Sequence, residues 1–105
     1  MTEERRQHPR IQQPFEGSWS GASGATSCRI GDLSLGGCFI QSLASPNAGE
    51  TTTVTINFGG DHAMSFKGTV VYAEDAMGFA VKFNPLGDRD RATFNQVLAA
   101  LAKND

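Results

Sequence analysis

Apolar and polar residues alternate with period two along five short runs of the chain, a pattern typical of strands that bury one face. A sixth run, 37–42, holds three consecutive apolar residues, Cys38, Phe39 and Ile40. The clearest run is 51–58, in which Val54, Ile56 and Phe58 alternate with threonine and asparagine. The other alternating runs are 15–20, 26–31, 64–72 and 79–83. Glycine, proline, asparagine and aspartate separate them, and these residues favour turns. The sequence therefore predicts six short strands joined in antiparallel fashion.

The fifth run places Tyr72 in the same apolar phase as Val70, and Gly68 within it predicts a bend or bulge. After Pro85 the apolar spacing becomes helical. Four residues fall at i, i+3, i+4 and i+7: Phe94, Val97, Leu98 and Leu101. This stripe predicts a helix over about 88–103, with Asp88 as its N-cap. Six strands and one helix indicate an all-β fold, a six-stranded antiparallel β-barrel with a C-terminal α-helix.

Composition restricts the class of protein. A chain of 105 residues suits a single domain. Its formal net charge of −2 argues against general binding of DNA or RNA, including single strands held in a basic groove. No apolar run approaches the ~20 residues that span a bilayer, and the N-terminus lacks the apolar segment of a signal peptide. We therefore expect a cytoplasmic protein without membrane insertion.

The cysteines, histidines and tryptophan carry no clear chemistry. Cys28 and Cys38 are predicted to be small buried side chains, with a disulfide between adjacent strands as the minor alternative. There is no CxxC motif, and His8 and His62 lie far apart, so no metal site is predicted. Strand spacing favours Trp19 as a core or barrel-surface residue over a stacking platform for a ligand.

Residues 1–13 are polar and charged without apolar periodicity, which predicts a flexible N-terminal arm before a barrel domain at 14–105. Three of the nine basic side chains lie close together in this arm, at Arg5, Arg6 and Arg10. Such a local density of guanidinium groups suits a small anionic ligand, because arginine binds phosphate through two parallel hydrogen bonds.

A polar, glycine-rich turn, Asp32-Leu33-Ser34-Leu35-Gly36-Gly37, lies between the second and third strands. Aspartate and serine side chains hydrogen-bond to nearby backbone groups or to a ligand, and paired glycines allow a close approach of the backbone. The residues as they stand permit two interpretations: a turn that only stabilises a hairpin, or one wall of a binding site.

Together the two segments resemble the signatures of the PilZ family, which binds the bacterial second messenger cyclic di-GMP. Arg6-Gln7-His8-Pro9-Arg10 matches RxxxR, and Asp32 to Gly37 matches [D/N]xSxxG, in the family's order and ahead of a similar strand pattern. The resemblance covers essentially the whole chain. It implies a ligand site, with no other cofactor and no metal, formed by Arg5, Arg6, Arg10, Asp32, Ser34, Gly36 and Gly37.

The resemblance assigns Arg6 and Arg10 to phosphate and guanine, and Asp32, Ser34 and Gly37 to the opposite wall. Arg5 directly precedes the motif. In the family, this region influences whether the site holds one ligand or a stacked pair of ligands. The chemistry agrees: arginine matches the O6 and N7 acceptors of guanine, and a carboxylate accepts from the guanine N1–H and N2–H₂ donors.

We therefore expect a non-enzymatic receptor in which cyclic di-GMP orders the arm and the new surface signals to a downstream protein. The alternative is a PilZ-like interaction module that works without ligand. No nucleophile–base pair, credible carboxylate pair or metal set supports an enzyme. Family members act in motility, biofilm-related attachment, exopolysaccharide synthesis and virulence, and the sequence does not select among them. A monomer or weak dimer is expected.

Overall fold

The strand order of the barrel follows from which runs pair. The computed structural model describes residues 14–22, 24–43, 46–59, 62–74 and 77–103. Its elements are β1 (Phe15–Gly21), β2 (Gly24–Ser34), β3 (Gly37–Gln41), β4 (Thr51–Gly59), β5 (His62–Glu74), β6 (Gly78–Phe83) and α1 (Asp88–Lys103). The strands form a closed antiparallel barrel in the order β1-β2-β3-β6-β5-β4. The predicted fold class is confirmed.

The interior of the barrel is apolar because each strand turns one face inward. In β4, Val54 and Ile56 are fully buried, as the alternation of that run predicts. Trp19 is only 2% exposed and meets Phe79 edge to face, with ring centroids 5.1 Å apart. Trp19 is thus a core residue. Large side chains of this kind contribute about 1.5–3 kcal/mol each when they are removed from water.

Helix α1 packs its apolar stripe against the end of the barrel at which β4 and β6 finish. Phe94 is fully buried, and its ring centroid lies 4.6 Å from that of Phe66 and 6.1 Å from that of Phe83. The helix has the predicted bounds, but its capping residue lies one position before the predicted one. The Gly87 carbonyl accepts the Arg91 N–H at 2.9 Å, so Gly87 is the capping residue and Asp88 is the first helical residue.

The irregularity in β5 lies at a different residue from the one predicted. Val70 pairs with Val81 and Tyr72 pairs with Ala80, so Val71 is the extra residue of a bulge. Gly68 stays in register, and a Cβ there would lie 2.6 Å from the Lys82 carbonyl oxygen. Because the bulge shifts the alternation by one residue, Tyr72 leaves the apolar phase and is 50% exposed. Of the bend or bulge predicted at Gly68, the bulge lies instead at Val71.

Candidate ligand-binding face

The predicted turn motif begins inside a strand. Strand β2 continues to Ser34, and the turn proper consists of Leu35 and Gly36. A register shift between Gly31 and Ser34 places Asp32 and Leu33 opposite a single residue of β3. Asp32 takes a φ of 50° and is exposed, while Leu33 is fully buried. The bulge therefore turns the carboxylate outward and anchors the motif in the core through the next residue.

Ser34 and Gly36 stabilise the turn that follows. The Gly36 N–H donates to Ser34 Oγ at 3.3 Å, and the Gly36 carbonyl accepts the Phe83 N–H at 2.9 Å. Ser34 thus has the turn-forming role that its residue type suggests. No atom lies within 4 Å of the place where a Cβ at Gly36 would stand, so Gly36 leaves open space above the turn.

Gly37 is the first residue of β3, and the packing of the strands requires glycine at this position. A Cβ at this position would lie 2.2 Å from the Val81 carbonyl oxygen, a distance that real Cβ atoms do not reach. Gly37 pairs with Lys82 of β6 and also with Ser34 of β2. The last glycine of the motif is therefore required for the close approach of β3 to β6.

The registers bring residues of four neighbouring strands into a row on the outside of the barrel. Gly31 pairs with Phe39, Phe39 with Ala80, and Ala80 with Tyr72. These four residues are called the aromatic row. The ring centroids of Phe39 and Tyr72 lie 6.5 Å apart at an interplanar angle of 43°. No atom lies within 4 Å of a Cβ built at Gly31, so the surface beside Phe39 is open.

A second row runs beside the first and carries charge. Arg29 pairs with Gln41, and Gly78 pairs with Glu74. The pairing of Ile40 with Phe79 brings Gln41 and Gly78 next to each other. Arg29, Gln41, Gly78 and Glu74 are called the charged row. Its three side chains are exposed.

Two shallow cavities cover these rows. The larger, of about 470 Å³, is lined by Pro14, Arg29, Gly31, Asp32, Phe39, Gln41, Tyr72, Glu74 and Met77. The smaller, of about 220 Å³, is lined by Asp32, Ser34, Gly37, Cys38, Phe39, Tyr72 and Ala80. They share Asp32, Phe39 and Tyr72, and together they form what we call the binding face. Of the predicted site residues, the structure brings Asp32, Ser34 and Gly37 together here.

The arginines of the arm, Arg5, Arg6 and Arg10, lie outside the described residues, as does the whole predicted arm. Pro14 nevertheless lines the larger cavity, so the chain enters the barrel at the edge of the binding face.

Both cysteines are free thiols, Cys28 half-buried and Cys38 buried, as the sequence favoured over a disulfide. Burial raises the pKa of Cys28 from 9.0 to about 11. Burial, followed by the charges of Cys28 and Asp32, raises the pKa of Cys38 to about 12. Although Cys38 lines the smaller cavity, it is therefore a neutral thiol at physiological pH and a poor nucleophile.

Sequence reasoning missed the side chains of the two rows, and also a methionine that lines the larger cavity: Arg29, Phe39, Gln41, Tyr72, Glu74 and Met77. A signal for Phe39 was present, because it lies between Cys38 and Ile40, both of which are buried. No comparable signal exists for Tyr72, whose exposure depends on the bulge. Arg29 and Glu74 line the same cavity only because β3 and β6 pair between them.

The described ranges carry neither a metal-binding cluster nor a helix that could cross a membrane. Within them, no three His, Cys, Asp or Glu side chains are grouped to hold a metal ion. No helix among these residues has the length and apolar character needed to cross a bilayer.

A third cavity, of about 350 Å³, lies beside α1, and its lining is largely apolar.

A family model for the PilZ domain matches residues 4–100. The chain belongs to the PilZ family, as the two motifs predicted. Compared by sequence with curated proteins, it has no significant match.

Solved structures share the fold. The PilZ domain with c-di-GMP of YcgR from Escherichia coli superposes with a TM-score of 0.76 at 15% identity, over 95% of this chain and 93% of that one. The Bacillus subtilis inhibitor of motility MotI/DgrA gives a TM-score of 0.75 at 14% identity, over 96% of this chain. This chain spans only about half of MotI, 52% of its length. At these identities the likeness concerns the fold.

Proposed function

We propose that the protein is a non-enzymatic receptor for cyclic di-GMP, which binds on the binding face with the N-terminal arm across it. One observation carries the proposal. Pro14, Asp32 and the Phe39–Tyr72 pair line a single cavity, so the end of the arm, the motif carboxylate and an aromatic surface meet. Each corresponds to a part of the ligand, which has two phosphates and two guanines.

The aromatic row supplies a surface for a base. Tyr72 is half exposed, and the small residues Gly31 and Ala80 flank Phe39, so a planar purine has access to both rings. Stacking of a base on an aromatic side chain is worth about 1–3 kcal/mol. Asp32, held outward by its left-handed backbone, is a carboxylate acceptor suited to the N1–H and N2–H₂ groups of the other guanine of the ligand. The related YcgR domain was solved with this ligand.

We propose that the N-terminal arm is the element that becomes ordered when cyclic di-GMP binds. Phosphates of the ligand need cationic partners, and Arg6 and Arg10 are within reach of the cavity edge through Pro14. Ordering the arm costs about 1–2 kcal/mol of backbone entropy per residue, which charge-assisted hydrogen bonds to phosphate offset. The arm and bound ligand then present a new surface to a downstream protein.

Binding, rather than chemistry on the ligand, is proposed as the output. The buried thiol at the face, Cys38, keeps its proton at neutral pH because its pKa is raised to about 12. A receptor leaves its ligand intact. Chromatography of cyclic di-GMP after incubation with the protein should return only the cyclic dinucleotide, and accumulation of a linear dinucleotide would contradict a receptor.

The decisive test is isothermal titration with cyclic di-GMP, with cyclic di-AMP and GTP as controls. We expect binding of the guanine dinucleotide in the micromolar range or tighter. Arg10→Ala should weaken it at least tenfold, about 1.4 kcal/mol, at an unchanged melting temperature. Arg89→Ala on α1, away from the face, is the matched control. Equal affinity of Arg10→Ala and wild type would overturn the role of the arm.

A ligand-independent interaction module is the second candidate. Among the described residues, large apolar side chains are exposed at Leu43 (88%), Met77 (61%) and Val71 (51%), and apolar groups on a surface favour contact with another protein. The same titration separates the two candidates, because a module of this kind gives no heat with any of the three nucleotides.

A further inference from the structure

We propose that the charged row selects guanine, with Arg29 and Glu74 contacting opposite edges of one base that stacks on the aromatic row. Neither residue belongs to the two motifs. The inference rests on the proposed function, because it assigns a role within the same binding face. Arg29 and Glu74 would then decide which cyclic dinucleotide the protein accepts.

The registers place the two side chains at the two ends of one row. Arg29 lies on β2 and Glu74 on β5, with Gln41 of β3 and Gly78 of β6 between them. Neighbouring strands are about 4.8 Å apart, so three steps separate the ends of the row by about 14 Å. Both side chains are long, and both line the same cavity. Gly78, which lies between them, has no side chain, and its own position is buried beneath the Ile40 carbonyl and the Phe39 ring.

The adjoining rows fix how a base would lie. Along a strand, positions on one face alternate, so the charged row is the next outward row beside the aromatic row. In β2 this relation joins Arg29 to Gly31, and in β3 it joins Gln41 to Phe39. A purine stacked on Phe39 and Tyr72 therefore directs its polar edges towards the charged row.

Charge argues that this part of the cavity receives a base rather than a phosphate. Its described lining holds two carboxylates, Asp32 and Glu74, and one guanidinium, Arg29. A phosphate against this lining would meet more negative than positive charge. The donor groups of a guanine suit carboxylates, and the phosphates are left to the arginines of the arm.

The two edges of guanine match the two side chains. Its N7 and O6 atoms are adjacent acceptors that fit the forked donors of arginine. Its N1–H and N2–H₂ groups are adjacent donors that fit the two oxygens of a carboxylate. Adenine fails at both ends, because it has an amino donor beside N7 and an acceptor at N1. Arg29 and Glu74 thus discriminate twice against adenine.

The test compares three ligands on four proteins. Wild type, Glu74→Gln, Arg29→Met and the control Asp90→Asn, which changes an exposed carboxylate of α1 outside the face, are titrated with cyclic di-GMP, cyclic di-AMP and cyclic di-IMP. Inosine lacks the N2 amino group and keeps N1–H, O6 and N7. Melting temperatures are recorded alongside, and we expect all three variants to fold like wild type because all three sites are exposed.

We expect Glu74→Gln to lose about tenfold or more of the preference for cyclic di-GMP over cyclic di-AMP, as for removal of a bidentate base contact. The loss of affinity should be smaller for cyclic di-IMP than for cyclic di-GMP, since one contact is already missing. Arg29→Met should reduce the same preference while keeping much of the side-chain volume. Asp90→Asn should bind all three ligands like wild type.

The outcomes separate this inference from the proposed function. If wild type binds cyclic di-GMP and Glu74→Gln keeps the full preference for guanine, the inference is wrong and the receptor function stands. If Glu74→Gln weakens all three ligands equally, Glu74 does not contact the base edge, and the inference is again wrong. If wild type binds no cyclic dinucleotide, both proposals fail.

Discussion

Two groups of aromatic side chains, one at the helix-covered end of the barrel and one on its outer face, show how differently the same residue types are used. At the covered end, the Phe66 ring stacks on Phe83 at 4.7 Å and meets Phe94 at 4.6 Å, and Phe66 and Phe94 are essentially without exposure. On the face, Phe39 and Tyr72 lie 6.5 Å apart, and Tyr72 is half exposed. The rings of the first group are covered by one another, whereas the second group leaves part of its ring surface accessible to solvent.

The difference indicates which aromatics stabilise the fold and which are available to a ligand. A closed group contributes through apolar area and ring contacts within the folded chain. An open group contributes little to folding, since much of its area remains in water, and it gains most when another flat molecule covers it. The two groups should therefore respond in opposite ways to truncation.

The largest effect is expected from Phe94→Ala. This change removes a fully buried ring that contacts Phe58, Phe66 and Phe83, and comparable truncations cost about 3–5 kcal/mol. Urea unfolding should show a much lower midpoint. The control is Leu43→Ala, which truncates a side chain that is 88% exposed and should change stability by less than about 0.5 kcal/mol. Similar losses in both variants would contradict the division between the two groups.

The next effect is expected from Tyr72→Ala, and it concerns binding. Loss of a stacked base contact should reduce affinity for cyclic di-GMP by about 1–3 kcal/mol. The free energy of unfolding should change little, because the side chain is 50% exposed. Val71→Ala removes a neighbouring side chain that is 51% exposed and does not line either cavity of the face. If Val71→Ala weakened the binding of cyclic di-GMP more than Tyr72→Ala, the stacking of a base on Tyr72 would be refuted.

The smallest effect concerns Cys38, a core residue that also borders the face. Its pKa is raised by burial to about 12, so the unfolded thiol loses its proton first as pH rises above about 9. Stability should then fall with rising pH, by at most about 1.4 kcal/mol per pH unit for this group. Cys38→Ala should have a shallower dependence between pH 9 and pH 11, measured by urea unfolding. Parallel slopes would argue against a buried neutral thiol.

The alternation of apolar residues was sufficient to predict the barrel, because strands such as β4 bury one face without interruption. The apolar stripe through Phe94 likewise defined α1. The bulge at Val71 left no distinct mark in the sequence, so the alternation was carried through it and Tyr72 was assigned inward. A single extra residue moves every later side chain of the strand to the opposite face of the sheet.

The candidate site was predicted only in part for a related reason. The motif Asp32 to Gly37 is continuous in sequence, so its residues could be identified before the fold was known. The aromatic and charged rows combine β2, β3, β6 and β5. The pairing of β3 with β6 joins runs that are separated by two strands in the chain, and local patterns do not carry such long-range registers.

The close approach of β3 to β6 at Gly37 has a consequence for how this domain can change over evolutionary time. Any side chain at that position would strike the Val81 carbonyl oxygen, whether or not a ligand is present. Asp32 and Ser34 face a cavity and are under no such steric limit. A descendant released from selection for its ligand would thus lose the aspartate and serine first and keep the glycine. A surviving glycine in a decayed motif would be a relic of the barrel, and it would say nothing about binding.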